Sequence, residues 1–213
     1  ARPRHLGGGA ARGGAGVSVE PTKGERAKKK LVDATANLLR RQGYHATGLS
    51  AIVDESGAPR GSLYFYFPGG KDELASAALR ASGEQWRARI QAAIAGLTEL
   101  GSAIDAIIAV LADELEGSGW ANGCPVAPVA LEATSEPVRA TIVEHFARWL
   151  ALSEAQLVAF GVPADRAREL AVVALSMVEG ALMMARVLRS REPLVAVGRA
   201  LRALVAREPP AHA

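Results

Sequence analysis

The stretch ATGLSAIVDESGAPRGSLYFYF, residues 46–67, contains the pattern that decides the fold. Its first half predicts a short helix with Thr47 as the N-cap, because a threonine hydroxyl can accept from the free backbone N–H groups of a first turn. The Gly-Ala-Pro sequence at 57–59 ends that helix, and a second short helix is predicted over 60–67. Two short helices joined by a tight turn that contains glycine form a helix-turn-helix, here over about residues 47–66.

Four aromatic residues, Tyr64 to Phe67, stand side by side in this stretch, in a chain that has only ten Phe, Trp and Tyr residues. Helical spacing predicts that Phe67 shares a small core with Leu63 and with Ile52 of the preceding helix. The other face of the second short helix then points outward, so the aromatic run is predicted to divide between core and surface at Phe67.

Helical spacing continues on both sides of this motif, and no segment has the strict alternation of a strand. The composition, rich in alanine and poor in β-branched residues, also favours helix. We therefore predict an all-α protein: a three-helix N-terminal domain and a larger helical C-terminal domain. The predicted helices cover about residues 22–42, 48–56, 60–67, 71–94, 101–116, 125–133, 136–160, 164–190 and 193–207.

Charge and composition divide the chain into three parts. Residues 1–21 are rich in glycine and lack apolar periodicity, so they are predicted to form a flexible arm, either solvated or following a nucleic-acid backbone. Residues 1–75 carry 12 Lys or Arg and 7 Asp or Glu, whereas the remainder carries 13 and 15. A basic first third indicates a module that binds a polyanion. We predict a domain boundary near residue 75, with domains at 22–75 and 76–213.

The C-terminal helices carry more apolar surface than a single face needs. The segment 168–188 has two apolar stripes at steps of three and four residues, and 193–207 has one. A helix that is apolar on two sides is buried on two sides. This pattern predicts a homodimer through the helices at about 164–190 and 193–207, built as a four-helix bundle; the alternative is a monomer core.

The sequence indicates a protein of a reducing compartment that does not enter a membrane. Its single cysteine, Cys124, excludes an internal disulfide framework, and its first residues lack the apolar segment of a signal peptide. The longest apolar run, 170–185, is shorter than the roughly 20 residues of a membrane span and contains Glu179. We expect a cytoplasmic protein with no membrane partner.

Residues 22–82 resemble the DNA-binding domain of the TetR/AcrR family of transcriptional regulators. The matching segments are ERAKKKLVDATANLLRRQGY at 25–44, the helix-turn-helix quoted above, and GGKDELASAAL at 69–79. The second glycine in PGGK and the segment NGCPVAPVALEAT at 122–134 resemble the LmrA/YxaF-like branch of that family. The resemblance implies a homodimer with an operator-binding N-terminal domain and a C-terminal pocket for a small-molecule effector.

The second short helix is then the recognition helix, whose N-terminal residues meet base edges in the major groove. Arg60 can pair with a guanine or a phosphate, and the apolar Phe65 can touch a thymine methyl. Gly61 either leaves room for DNA or provides packing space. The resemblance assigns phosphate contacts to Tyr64, Tyr66, Lys71 and Thr47. The predicted DNA contacts are Thr47, Arg60, Gly61, Ser62, Tyr64, Phe65, Tyr66 and Lys71.

The effector pocket is predicted from the large apolar and adaptable side chains of the C-terminal part, although side chains of these types more often belong to a plain core. Cys124 precedes Pro125, which is predicted to open a helix, so its thiol is either activated by that helix start or a small buried apolar group. The candidates for the pocket lining are Trp86, Trp120, Cys124, His145, Trp149 and Met177.

The resemblance implies a regulator, by default a repressor, that binds a palindromic double-stranded DNA operator and is released by a small molecule. The alternative is a sequence-independent DNA-binding protein. No phosphate-binding glycine loop, metal motif or nucleophile elbow occurs in the sequence, so we expect no catalytic residue, no cofactor and no metal site.

Overall fold

The computed structural model describes residues 22–132 and 135–207, so the predicted arm at 1–21 lies outside the described residues. Within these ranges the chain forms nine helices and no strand, which confirms the all-α prediction. The helices are α1 (Lys23–Gln42), α2 (Leu49–Ser56), α3 (Arg60–Tyr66), α4 (Gly70–Ile94), α5 (Leu100–Gly117), α6 (Ala127–Glu132), α7 (Glu136–Ala159), α8 (Ala164–Leu188) and α9 (Glu192–Val205).

Helix α1 has strong start and stop signals. Thr22 and Glu25 form a capping box, in which each side chain accepts a hydrogen bond from the backbone N–H of the other residue. Gly43 ends the helix with φ of 78°, a conformation that glycine adopts without strain. The local signals therefore fix both ends of this helix.

The helix-turn-helix follows, with one correction at its start. The N-cap of α2 is Gly48, and the prediction that Thr47 caps this helix is wrong. The Thr47 side chain is fully buried, and its hydroxyl donates a 2.7 Å hydrogen bond to the carbonyl of Gly43. Thr47 therefore closes the loop between α1 and α2, and its buried hydroxyl is removed from the candidate phosphate contacts.

A small core holds α1, α2, α3 and the start of α4 together. Ile52, Leu63 and Phe67 are all buried in it, as the spacing predicts. Leu31 of α1 and Leu74 of α4 complete its centre. Because this core anchors the inner residues of α3, the outer face of the helix is held in a fixed orientation towards solvent.

The long helix α4 leaves this core and enters the C-terminal part. Its middle residues Ala75, Ala78 and Leu79 pack in a second core cluster with the end of α1 and with α6 and α7. Its later residue Trp86 belongs to a third cluster, built mainly from α5, α8 and α9. Helix α6 begins at Ala127, two residues later than predicted. One continuous helix thus connects the small core beneath α3 to the C-terminal core.

Helix α8 presents two different faces, one buried within the chain and one exposed. Ala171, Leu182 and Ala185 are buried within the chain, whereas Met184 and Val187 on the other face are exposed. The stripe of α9 behaves differently from the prediction, because it packs into the chain's own core. Its members, which pack in the third core cluster, are Leu194, Val197, Leu201 and Leu204.

By length and composition α8 is the one described helix that could cross a membrane. A single such helix is weak support for a membrane span. Glu179 near its middle and its packing against α7 and α9 favour a helix of a folded core.

Candidate nucleic-acid interface and effector cavity

The outer face of α3 is open to solvent. Arg60, Gly61, Tyr64 and Phe65 are exposed, with exposed fractions of 64% for Tyr64 and 76% for Phe65. Ser62 is half-buried. Arg60 makes no ion pair with any described residue, so its guanidinium is free to meet an external partner. A Cβ placed on Gly61 would meet no atom within 4 Å, so the glycine is not required by packing inside the chain.

Tyr66 lies deeper than its two aromatic neighbours. Its ring is half-buried against the small core and meets Phe65 edge-on, with ring centroids 4.9 Å apart. Its hydroxyl reaches the start of α1, where a Cβ on Gly24 would lie 2.6 Å from it. Tyr66 therefore links α3 to the first turn of α1 and offers only part of its side chain to solvent.

Lys71 lies against Tyr44, at the junction of α1 and α4. Its ammonium is 4.1 Å from the centre of the Tyr44 ring, which is a cation–π contact. Partial burial lowers the pKa of Lys71, although Asp72 and Glu132 oppose the shift. The Tyr44 hydroxyl donates to Asp72, and burial together with that carboxylate raises the pKa of Tyr44 to about 12. Lys71 is half-buried in this arrangement, and its outer side remains accessible.

A cavity of about 220 Å³ lies in the C-terminal part, between α4, α5, α7 and α8. Trp86, Cys124, His145 and Trp149 line it, as expected from the sequence. Trp120 and Met177 do not line it and instead pack on the outside of the third core cluster. Aromatic and aliphatic side chains that the sequence did not single out complete the wall, among them Ile90, Ile104, Ile107, Phe146, Phe160 and Val178.

Two titratable groups of the wall, those of His145 and Cys124, have pKa values that are shifted towards their neutral forms. Burial, helped by the nearby Arg148, lowers the pKa of His145 to about 4, so the imidazole is neutral at physiological pH. Burial also raises the pKa of the Cys124 thiol far above its usual range. An unreactive thiol fits the small apolar group rather than the activated nucleophile. The cavity is thus suited to an apolar ligand that makes few polar contacts.

Glu179 was missed as a lining residue, although the sequence signals it. It is the one acidic residue inside the longest apolar run, and in the structure it lines the cavity. Burial raises the pKa of its carboxyl group, which hydrogen-bonds to Cys124. An acid inside an apolar stripe could have been recognised as a site candidate instead of only as an argument against a membrane span.

Glu114 connects this wall to α1. It lines the cavity and forms ion pairs of 3.3 Å with Arg40 of α1 and 2.6 Å with Arg89 of α4. Arg40 is buried, whereas Arg89 is largely exposed. Burial lowers the pKa of Arg40, and Glu114 opposes that shift.

Two more side chains hold the end of α1. Arg186 of α8 donates hydrogen bonds to the carbonyls of Arg40 and Arg41, at 3.4 and 3.0 Å. Glu132 of α6 accepts a 2.7 Å hydrogen bond from the backbone N–H of His45. These contacts join residues that are far apart in sequence, so no local pattern predicts them. The end of α1 is therefore attached to α5, α6 and α8 at once.

Within the described ranges, no group of three or more His, Cys, Asp or Glu side chains is placed to hold a metal ion.

Comparison with known proteins agrees with both halves of this arrangement. Residues 31–78 match the sequence profile of the bacterial regulatory proteins of the tetR family. Residues 101–200 match the profile of the C-terminal domain of LmrA/YxaF-like transcriptional regulators.

Individual relatives extend over nearly the whole chain. An HTH-type transcriptional regulator of Mycobacterium tuberculosis is 42% identical over 190 residues, covering 86% of this chain and 96% of the relative. The HTH-type transcriptional regulator LmrA of Bacillus subtilis is 32% identical over 182 residues, covering 84% and 97%. The crystal structure of a TetR transcriptional regulator from Chloroflexus aurantiacus has a TM-score of 0.73 at 26% identity, covering 87% of this chain and 97% of that one.

The chain has a helix-turn-helix with an exposed outer face and a helical C-terminal part around an apolar cavity. Its relatives match it with this identity and coverage. These observations have one explanation. The chain belongs to the TetR family of DNA-binding transcriptional regulators, with a C-terminal domain of the LmrA/YxaF-like type.

Proposed function

We propose that this protein is a ligand-responsive repressor that binds a palindromic operator as a homodimer and is released by a small molecule. The observation that carries the proposal is the path of α4, which begins under the exposed face of α3 and ends on the wall of an apolar cavity. We divide the chain accordingly into an operator-binding domain at 22–75 and a regulatory and dimerisation domain at 76–213.

In this proposal α3 lies in the major groove, and its side chains divide between reading and positioning. Arg60 is the candidate for a bidentate contact to guanine, and Phe65 for a thymine methyl. Ser62 reaches a base or a sugar, and Gly61 allows the helix to approach the groove closely. Phosphate contacts come from the hydroxyls of Tyr64 and Tyr66 and from the ammonium of Lys71.

The dimer is proposed to form through the exposed face of α8. This face carries Val172, Met183, Met184, Val187 and Leu188, which are all exposed in the single chain. An exposed apolar face of this kind marks a protein contact. A twofold axis between two copies of the chain would bury this face on both copies at once. Helix α9 contributes Val195, which is 41% exposed, rather than its apolar stripe.

Release is proposed to act through the helices that surround the cavity. A ligand that separates α4 from its neighbours would tilt α4 and with it α3, which changes the distance between the two recognition helices of the dimer. The ion pair of the wall residue Glu114 with Arg40 provides a second route from the same wall to the end of α1. Glu132 and Arg186 hold the same end from outside the cavity wall. The ligand must bind the released state better than the operator-bound state, or it shifts nothing.

The test is selection of DNA from a random pool by the purified protein, followed by binding to the selected sequence and to a scrambled control at fixed salt. We expect a palindrome whose half-sites lie about 34–36 Å apart, one helical turn. The logarithm of affinity should fall with the logarithm of salt by about 0.9 for each phosphate contact. Equal binding to palindrome and scrambled DNA would instead support the sequence-independent DNA-binding protein.

The relatives are named transcriptional regulators, and we propose no catalytic activity for this chain. Operator binding requires access to the chromosome, so we propose a cytoplasmic protein without a membrane partner.

A further inference from the structure

The cavity wall contains one carboxyl group without a charged partner, that of Glu179 on α8. Its oxygen Oε2 is buried and has no hydrogen-bond partner among the described residues. The Cys124 thiol is the polar side chain that hydrogen-bonds to this carboxyl group. A buried polar atom left unpaired in this way costs free energy, so a ligand that pairs with it gains affinity.

The other charged side chains of the wall are already paired. Glu114 holds Arg40 and Arg89, as described above. Arg87 donates to Glu84 at 2.8 Å and to Gln91 at 2.8 Å. Glu179 is therefore the ionisable wall residue with a carboxyl group that, within the described ranges, is left for a ligand. Arg87, which is already paired, offers little binding energy to an anionic ligand.

The aromatic side chains that line the same cavity as Glu179 indicate the chemistry of the remainder of the ligand. Trp86, Phe146, Trp149 and Phe160 provide aromatic surface on the same wall. Aromatic faces attract cations and pack well against flat apolar rings. A ring system with a basic nitrogen would thus meet a carboxylate and several aromatic faces at once.

We propose that Glu179 determines the specificity of the cavity, and that the effector is an apolar, ring-containing molecule with a protonated amine that pairs with this carboxylate. This inference rests on the proposed function, in which the cavity is the effector site. Binding of the ammonium ionises Glu179 and gives Oε2 a charge-assisted hydrogen bond, whereas a neutral alcohol of the same shape can give that oxygen only the weaker hydrogen bond of an uncharged donor.

The experiment compares three probes of one shape: naphthylmethylamine, naphthylmethanol and naphthoate. Their affinities for the full chain are measured by calorimetry and by quenching of the fluorescence of Trp86 and Trp149. Hydrogen bonds to charged groups predict that the amine binds about 10- to 100-fold more tightly than the alcohol, and that the anion binds most weakly.

Two variants assign the preference to one residue. Glu179→Gln keeps the size of the side chain and should reduce the preference for the amine to near unity. Glu169→Gln makes the same change at an exposed position of the same helix and should leave the preference unchanged. Thermal melts of both variants confirm folding, and the comparison of probes on the unaltered chain does not depend on either variant.

Equal affinities of amine and alcohol for the unaltered chain, no binding of the amine, or an unchanged preference in Glu179→Gln would each overturn the inference. The operator-binding measurement is made on the same samples. Sequence-specific DNA binding without an amine preference would sink this inference alone, and an amine preference without sequence-specific DNA binding would sink the proposed regulator alone.

Discussion

The guanidinium of Arg186 on α8 donates a 3.0 Å hydrogen bond to the main-chain carbonyl of Arg41 at the end of α1. The last carbonyls of a helix have no partner within it, and α1 receives this one from a helix 145 residues further along the chain. Arg186 also passes close to Gly123, which lines the cavity. The cavity wall and the final turn of α1 therefore share one side chain.

Replacement of Arg186 by methionine should loosen the end of α1. The variant keeps much of the apolar stem and loses both hydrogen bonds, so the free energy of unfolding should fall by about 1 kcal/mol. Hydrogen exchange of the amides at 40–44 should become faster. Arg199→Met, at an exposed arginine of α9, is the control; equal exchange in both variants would contradict the assignment.

Glu114→Gln should destabilise the protein far more than Arg89→Met. The first change leaves the buried guanidinium of Arg40 without a carboxylate, which costs about 3 kcal/mol, whereas an exposed pair contributes under about 1 kcal/mol. Urea denaturation of both variants measures the difference. Similar midpoints would show that the contact between Arg40 and Glu114 adds little to stability.

Gly61→Ala should separate DNA binding from stability. Alanine favours the helix over glycine by about 0.5–1 kcal/mol, and there is open space around Gly61, so the protein should melt higher. Operator affinity should nevertheless fall, because the new methyl group lies on the face that approaches DNA. Gly117→Ala, which also has open space, should leave affinity unchanged. Full operator affinity in Gly61→Ala would remove this residue from the interface.

Val187→Asp should convert a dimer to a monomer. Val187 is 77% exposed in the single chain, so the change costs the monomer little and places a charge in the proposed interface. Light scattering after size exclusion measures the mass. Val143→Asp changes an exposed valine of α7 and should leave the dimer intact. A dimer that survives Val187→Asp would place the interface elsewhere.

His145 should make stability dependent on pH in the acidic range. Its pKa is lowered to about 4 in the folded chain, compared with about 6.5 when unfolded. The unfolded state therefore binds the proton first as the pH falls from about 6.5 to about 4, and the folded state loses up to about 3 kcal/mol of stability across that window.

His145→Gln should remove this loss. Glu179, whose pKa burial raises, contributes in the opposite direction, because its neutral folded form is favoured at low pH. The difference between the unaltered chain and His145→Gln, measured by urea denaturation at several pH values, isolates the histidine. Parallel curves would show that His145 is not held neutral by its surroundings.

Local chemistry explains why so much of the fold could be predicted from the sequence. Gly43 and Gly57 adopt positive φ at helix ends, and Phe67 ends the aromatic run inside the small core, because each depends on its near neighbours in the chain. Signals of this kind act within one or two helical turns.

The errors occur where a side chain has more than one possible partner, near or far along the chain. Thr47 has the chemistry of an N-cap, but the loop folds back so that its hydroxyl meets Gly43 instead. Trp120 and Met177 have the chemistry of a cavity wall, but they pack against the third core cluster and do not line the cavity. The apolar stripe of α9 packs into the core of its own chain. Periodicity identifies a buried face without identifying what covers it.

Glu132 has a consequence for protein engineering. Its carboxylate lies directly over Gly43, where any Cβ would collide with it, and it accepts the N–H of His45. The loop between α1 and α2 and the short helix α6 are thus complementary in shape, although they belong to separate domains in the proposed division. A chimera that takes its DNA-binding head from a relative and its sensor from this chain must transplant position 43 and position 132 together. The two modules are interchangeable only as a matched set.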